Sequence, residues 1–389
     1  MDQLIQYFRK FLNETDTTFV RYIHDKINWK NRMIGLTGPR GVGKTTMILQ
    51  HIKQYHNTSD SLYVTAEDFY FANNRLVELA DTFTKQGGKY LFIDEIHKYS
   101  DWAKELKLIY DYHSNLNVVF TGSSILDIKK GISDLSRRAV MYSMQGLSFR
   151  EYLQLFHNII TPTYTLEEIL QNKVEAKELP HPLPLFSQYL ETGYYPFAIQ
   201  DDFNLRLQQV INQTLETDIP LFAGLNAETG RKLKHLLAVI AKSVPFKPNF
   251  TKIADILSVS RNNIGDYCLF IEEAGMIAQL RDATEGIRGL GKINKVYLDN
   301  PNLIYNLAQE NANKGNIRET FFLNQTRVLN EVTSSSISDF QIKEYTFEIG
   351  GKNKTKKQLK EIENSFVIKD DIEYGHLNTI PLWHFGLMY

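Results

Sequence analysis

The sequence predicts an α/β chain: a parallel sheet at the N-terminal end, then a helical region and two smaller domains. Three observations carry that expectation. The run Gly38-Pro39-Arg40-Gly41-Val42-Gly43-Lys44-Thr45 has the spacing G-x-x-x-x-G-K-[ST] of a phosphate-binding loop. Before it, Arg32–Thr37 reads as a short buried strand, and after it Thr45–Ile52 reads as a helix. Further on, the apolar run Tyr90-Leu91-Phe92-Ile93 ends in Asp94-Glu95.

The loop chemistry explains its composition. Glycines let the backbone curl until successive N–H groups face phosphate oxygens. Lys44 supplies a cation near the β- and γ-phosphates, and the Thr45 hydroxyl suits Mg²⁺. Thr46 continues the first turn, so Gly38 to Thr46 together form the expected nucleotide-binding segment.

Bulk properties set the frame. A chain of 389 residues exceeds one compact core and suggests roughly two to four domains. The net charge of −1 gives no global positive field, so any nucleic-acid contact must be a local patch. The single cysteine, Cys268, excludes an internal disulfide and a cysteine-based zinc site, and fits a reducing cytoplasm. Met1-Asp2-Gln3-Leu4 lacks the basic and apolar regions of a secretory signal. The longest apolar stretch, Leu236–Ala241, is far too short to cross a membrane, so no membrane partner is expected.

Five strand-like runs fall in the first 145 residues: Arg32–Thr37, Ser61–Thr65, Lys89–Ile93, Asn117–Thr121 and Val140–Met144. All but the last are separated by enough chain for a crossover helix. Ligands of such sheets sit beyond the carboxyl ends of the strands. There Asp94 would hold Mg²⁺, and Glu95 would orient and deprotonate a water as general base. Thr121-Gly122-Ser123-Ser124 fits either γ-phosphate sensing, with Ser123 in the site, or ordinary turn chemistry. Arg137 and Arg138 precede the fifth strand; either could stabilise charge on a γ-phosphate, in its own chain or a neighbour's, or simply lie on the surface. No Asn-Lys-x-Asp run reads guanine, since Asn294-Lys295-Val296-Tyr297 lacks the aspartate. ATP is therefore the expected nucleotide, with Ile23, Ile27 and Trp29 as candidate walls for adenine.

Together these runs, with Leu147-Ser148-Phe149-Arg150-Glu151-Tyr152 and Gly193-Tyr194-Tyr195-Pro196, resemble the prokaryotic AAA-class P-loop ATPases that carry a C-terminal domain of uncharacterised function. The resemblance spans nearly the whole chain and is strongest before residue 155. It implies ATP and Mg²⁺ as cofactors, Lys44 and Thr45 on phosphate and metal, Asp94 on metal, Glu95 as base, and Arg138 as the arginine before the fifth strand. Where the group often has glycine before that arginine, this chain has Arg137.

The remaining chain divides at 156–245, 246–299 and 300–389, after an ATPase domain at 1–155. The first of these reads as a helical lid or linker, interrupted at Glu178-Leu179-Pro180-His181-Pro182-Leu183-Pro184, where the prolines argue against helix. Next, Phe250–Leu257, a turn at Ser258-Val259-Ser260, Arg261–Ala274 ended by Gly275, and strands Met276–Arg281 and Lys292–Leu298 have the order of a winged helix-turn-helix. On DNA, Arg261-Asn262-Asn263 would face the major groove, with Arg281, Arg288, Lys292 and Lys295 on the wing; a protein-binding module has the same outline. In the last segment Glu319, Asp339 and Glu348 are spaced like the acidic set of a restriction-endonuclease-like fold. The lysine expected two residues after the Glu is Gly350, and the nearest is Lys352, so a degenerate copy without nuclease activity is expected. Lys352, Lys354, Lys356, Lys357 and Lys360 form a basic run that suits phosphates or plain solvent. The expected partners are thus ATP, DNA or a protein through residues 246–389, and further copies of the chain if Arg138 acts on a neighbour.

Overall fold

In the computed structural model, β1 (Met33–Thr37), β2 (Ser61–Thr65), β3 (Tyr90–Asp94), β4 (Asn117–Gly122) and β5 (Val140–Ser143) coincide, to within a residue at either end, with the five runs read from the sequence. Residues 1–122, 135, 137–242, 249–283, 292–309, 312–354 and 362–389 are described. The chain divides into two units: Met1–Gln145 with Leu221–Leu225, and Gly146–Pro220 with Asn226–Tyr389.

In the first unit the strands lie in the order β2-β3-β4-β1-β5, all parallel. Parallel neighbours need crossovers, which α2 (Lys44–Tyr55), α3 (Leu76–Lys85) and α4 (Trp102–Tyr112) supply. Both sheet faces are covered, so β1 and β4 read as unbroken apolar runs without alternation. Ile34, Leu36, Phe92, Ile93 and Phe120 are almost wholly buried, each contributing about 1.5–3 kcal/mol. Before the sheet, α1 (Asp2–Glu14) places Leu4, Phe8 and Leu12 four residues apart on one face, and that stripe is buried. The position of β4 matters most for function. Lying between β1 and β3, it brings Thr121 to the sheet edge beside Asp94, since Leu36 pairs with Thr121 and Ile93 with Phe120.

The second unit begins with helices. One of them, Pro182–Gln188, corrects the expectation that the proline-rich stretch is not helical. Pro182 and Pro184 fall in its first turn, where a helix N–H has no carbonyl partner to lose. Further on, Phe250–Leu257 and Arg261–Glu273 are helices, Gly275 follows in the left-handed region at φ 74°, and β6 (Ile277–Arg281) pairs antiparallel with β7 (Ile293–Leu298). A five-stranded mixed sheet closes the unit: β8 (Thr333–Ser334), β9 (Phe340–Ile342), β10 (Tyr345–Gly350), β11 (Ser365–Lys369) and β12 (Thr379–Pro381). The pairs β8–β9 and β9–β10 are antiparallel, whereas β10–β11 and β11–β12 are parallel. Among the described residues no helix is long and apolar enough to cross a membrane.

Candidate nucleotide site

The chain turns sharply at the end of β1. At Gly38 there is no room for a side chain, because a Cβ would come within 2.1 Å of the Met144 carbonyl oxygen. Gly43, at φ 96°, precedes α2 in a conformation that other residues avoid. Between these glycines the loop is tied from behind: Arg21 donates to the carbonyls of Val42 at 2.6 Å and Gln145 at 2.8 Å. Pro39, Arg40 and Gly41 complete the curve. Lys44, the first residue of α2, is buried, and its Nζ donates to the carbonyls of Gly38 at 2.8 Å and Pro39 at 2.9 Å. The first turn of α2, with Thr45 and Thr46, presents N–H groups that have no carbonyl four residues back. That end of the helix carries partial positive charge, so it favours an anion.

Asp94 is buried at 4% exposure and accepts from three hydroxyls. Thr45 Oγ1 and Tyr63 Oη donate to Oδ2 at 2.6 Å and 2.8 Å, and Thr121 Oγ1 donates to Oδ1. These bonds compensate a carboxylate that burial alone would strongly disfavour. Burial, and then the Asp94 charge, push the Tyr63 phenol far above its ordinary range, so it stays a donor. A carboxylate and a hydroxyl side by side are hard oxygen ligands, and Asp94 with Thr45 would hold Mg²⁺.

Glu95 sits in the left-handed region at φ 51°, a strained conformation worth about 1–3 kcal/mol that is characteristic of functional turns. Its N–H donates to Thr121 Oγ1 at 3.0 Å, so one hydroxyl ties both acids. Its Oε2 lies 3.2 Å from Nε2 of His97. Burial first, then the charges of Lys98, Lys44 and Arg40, press the His97 pKa down to about 3, so the ring is neutral.

Lys44, Thr45, Asp94 and Glu95 therefore converge at the carboxyl edge of the sheet. Tyr63 and His97 are the residues that sequence reasoning missed. Tyr63 lies inside β2, paired with Phe92, and no spacing marks it. His97 stood next to the acids, and only its burial gives it a role. Ser123 lies outside the described residues. Arg138 is placed elsewhere: Ile34 pairs with Val140, so residues before β5 align with the amino end of β1, opposite the loop that follows Thr37. There Arg138 grips Asp111 of α4 through Nε at 2.9 Å and Nη2 at 3.0 Å. The sheet's length thus separates Arg138 from the loop of its own chain, which weighs against one of the three alternatives the sequence leaves open.

Candidate adenine walls are also committed to packing. Ile23 and Ile27 are buried in the core, and Trp29 stacks on His51 with ring centroids 3.6 Å apart and planes 13° from parallel. His51 belongs to a row near the far end of α2: its Nδ1 is 3.0 Å from His24 Nε2 and its Nε2 is 3.2 Å from His56 Nε2. At the other end of the row His24 Nδ1 meets Asp25 Oδ1 at 3.2 Å.

The acidic set of the second unit is assembled differently from a metal centre. Lys295 Nζ lies 3.4 Å from Glu319 and 3.3 Å from Asp339, and Tyr297 donates to Glu319 at 2.7 Å. Glu348 accepts from Ser338 Oγ at 2.5 Å and pairs with Lys354, whose side chain lies over Gly350. Ammonium groups and hydroxyls thus meet these carboxylates. Among the described residues no group of three or more His, Cys, Asp or Glu side chains is placed to hold a metal ion.

Residues 30–153 match the family model described as an AAA domain, and residues 183–314 match a domain of unknown function (DUF8612). The first match agrees with the parallel sheet and the glycine loop in pointing to a P-loop nucleotide-binding domain over those residues. The chain is similar to two uncharacterized proteins of Methanocaldococcus jannaschii. It is 26% identical to MJ1637 over 274 residues, covering 65% of this chain and 57% of the relative. Against MJ1544 the identity is 25% over 342 residues, covering 83% and 73%. The chain thus spans little more than half the length of the first of these relatives. Among solved structures it is similar to the Walker-type ATPase PABY2304 of Pyrococcus abyssi, with 14% identity, 76% of this chain and 98% of the other covered, and a TM-score of 0.44.

Proposed function

We propose that the first unit binds ATP with Mg²⁺ and hydrolyses the terminal phosphoanhydride. The observation that carries this reading is the meeting of Thr45, the residue after Lys44, with Asp94, the residue before Glu95, at 2.6 Å. The glycine loop and the first turn of α2 bind the phosphates, and Lys44 exchanges its two loop carbonyls for phosphate oxygens. Thr45 and Asp94 would hold Mg²⁺, which would supply positive charge to the triphosphate. Glu95 takes a proton from the attacking water, with His97 fixing its carboxylate. Phosphate release by the purified full chain tests this. Lys44→Ala should abolish nucleotide binding. Glu95→Gln should keep binding and lose about 10²–10⁴-fold in turnover. Turnover that survives both changes would overturn the assignment.

The finer reading is that nucleotide state repositions the second unit on DNA or a protein. Support comes from the winged-helix order of Phe250–Leu298 and from Arg261, Asn262 and Asn263, all exposed at the start of the second helix. The wing argues less strongly for DNA: Arg281 pairs with Glu272, Lys295 with Glu319 and Asp339, and Arg288 lies outside the described residues. Of the C-terminal basic run, Lys354 is bound to Glu348, whereas Lys356, Lys357 and Lys360 are outside the described residues. Salt decides between partners, since phosphate contacts release counterions. Binding of the full chain to duplex DNA that weakens steeply with salt and is lost in Arg261→Ala favours DNA; its absence favours a protein. For Arg138 two readings remain, action on the nucleotide of a second copy and a surface pairing with Asp111 alone.

A further inference from the structure

Arg21 is buried, and its two Nη groups end on carbonyls from distant parts of the first unit, Val42 in the glycine loop and Gln145 just beyond β5. The Gln145 end is a firm anchor. β5 stays paired with β1 up to Ser143 opposite Thr37, and the Met144 N–H then donates to the Thr37 carbonyl at 2.8 Å. The other end is the peptide that joins Val42 to Gly43, where glycine at φ 96° sets few steric limits on how the peptide plane turns. The hydrogen bond from Arg21 supplies that limit.

We propose that Arg21 is a positioning residue for the nucleotide: by holding the Val42 carbonyl it presents the Gly43 N–H to a phosphate oxygen. In a trans peptide the C=O and the N–H point to opposite sides. A guanidinium fixed on the Val42 carbonyl therefore directs the Gly43 N–H away from Arg21. Its charge makes the bond stronger than one between neutral groups, and it polarises the peptide so that the N–H becomes a better donor. The planar fork serves two carbonyls at once, and Gln145 keeps the guanidinium from following the loop. The proposal rests on the reading of the first unit as a nucleotide-binding unit. It adds to that site a residue that lies outside the G-x-x-x-x-G-K-[ST] run.

Valine is followed by glycine only once in the sequence, at Val42-Gly43. The full chain labelled with ¹³C-carbonyl valine and ¹⁵N-glycine therefore gives a single carbonyl-correlated amide signal, which reports both ends of this peptide. Without nucleotide, Arg21→Met should move the Val42 carbonyl upfield, and an unmoved carbonyl overturns the proposal. On addition of Mg-ADP, the Gly43 N–H of the parent chain should shift saturably. Arg21→Met should weaken that binding about tenfold, the worth of one hydrogen bond. Arg21→Lys keeps the charge but offers one nitrogen for two carbonyls. It should lose about threefold, and it decides the matter if Arg21→Met does not fold. A role in stability alone would lower the unfolding midpoint and leave the affinity of the folded chain unchanged, and that result overturns the proposal while sparing the nucleotide reading. A parent chain whose signal ignores Mg-ADP defeats the nucleotide reading itself, and this proposal with it.

Discussion

Glu95 and His97 stand two residues apart after β3, and Nε2 of a buried, uncharged imidazole lies 3.2 Å from the Glu95 carboxylate. The pair makes the expected base dependent on a neighbour that has no proton of its own to give up near neutral pH. If the imidazole closes on the carboxylate when nucleotide binds, His97→Ala should lower turnover about tenfold without changing affinity for Mg-ATP. His97→Gln, which keeps an N–H donor, should restore most of it. A steady-state comparison of kcat and KM checks this, and an unchanged kcat in His97→Ala would remove the positioning role.

Tyr63→Phe deletes one of the three donors to Asp94 and changes little else in shape. Leaving a buried carboxylate lone pair unmet should cost about 1–3 kcal/mol of stability. Denaturant unfolding reads the difference. Equal midpoints for the two proteins would mean that Thr45 and Thr121 suffice.

Arg138 and Lys44 can be separated by mixing. If the arginine serves a second copy, Arg138→Ala and Lys44→Ala proteins, each inactive alone, should regain part of the parent turnover when combined. The gain should grow with protein concentration. Inactive mixtures at every ratio would confine Arg138 to its pairing with Asp111.

Acid should destabilise the fold through buried histidines. His51, His97 and His384 are each pushed down to about 3 by burial. In the unfolded chain they take protons near the ordinary value of about 6.5, so the unfolded state binds more protons between those limits. Their contribution is complete above about pH 6.5 and is lost as pH falls toward 3, at about 1.4 kcal/mol per pH unit for each ring. Unfolding midpoints across this range measure the slope, and a flat profile would contradict it.

The sheet was legible because parallel strands covered on both faces are written as uninterrupted apolar runs, and Lys44, Thr45, Asp94 and Glu95 sit at fixed offsets from strand ends. Local spacing fails where the partner comes from a neighbouring strand. Tyr63 reaches Asp94 across the β2–β3 pairing, and only the register places it there. Arg138 shows the opposite limit: its distance from a strand was legible, but which edge of the sheet it occupies follows from β5 running parallel to β1. Pro182 and Pro184 misled because the same residue that breaks a helix interior is welcome in its first turn.

The histidine row at the far end of α2 has a consequence for its protons. Asp25 can only accept, so His24 carries hydrogen on Nδ1 and offers Nε2 as acceptor. His51 must then be protonated on Nδ1, which leaves its Nε2 to receive the hydrogen of His56 Nε2. While all three rings are uncharged, each contact holds one hydrogen and every ring has one to place, so no ring can switch its tautomer without the other two. A nitrogen chemical shift measured on any single imidazole reports the state of all three.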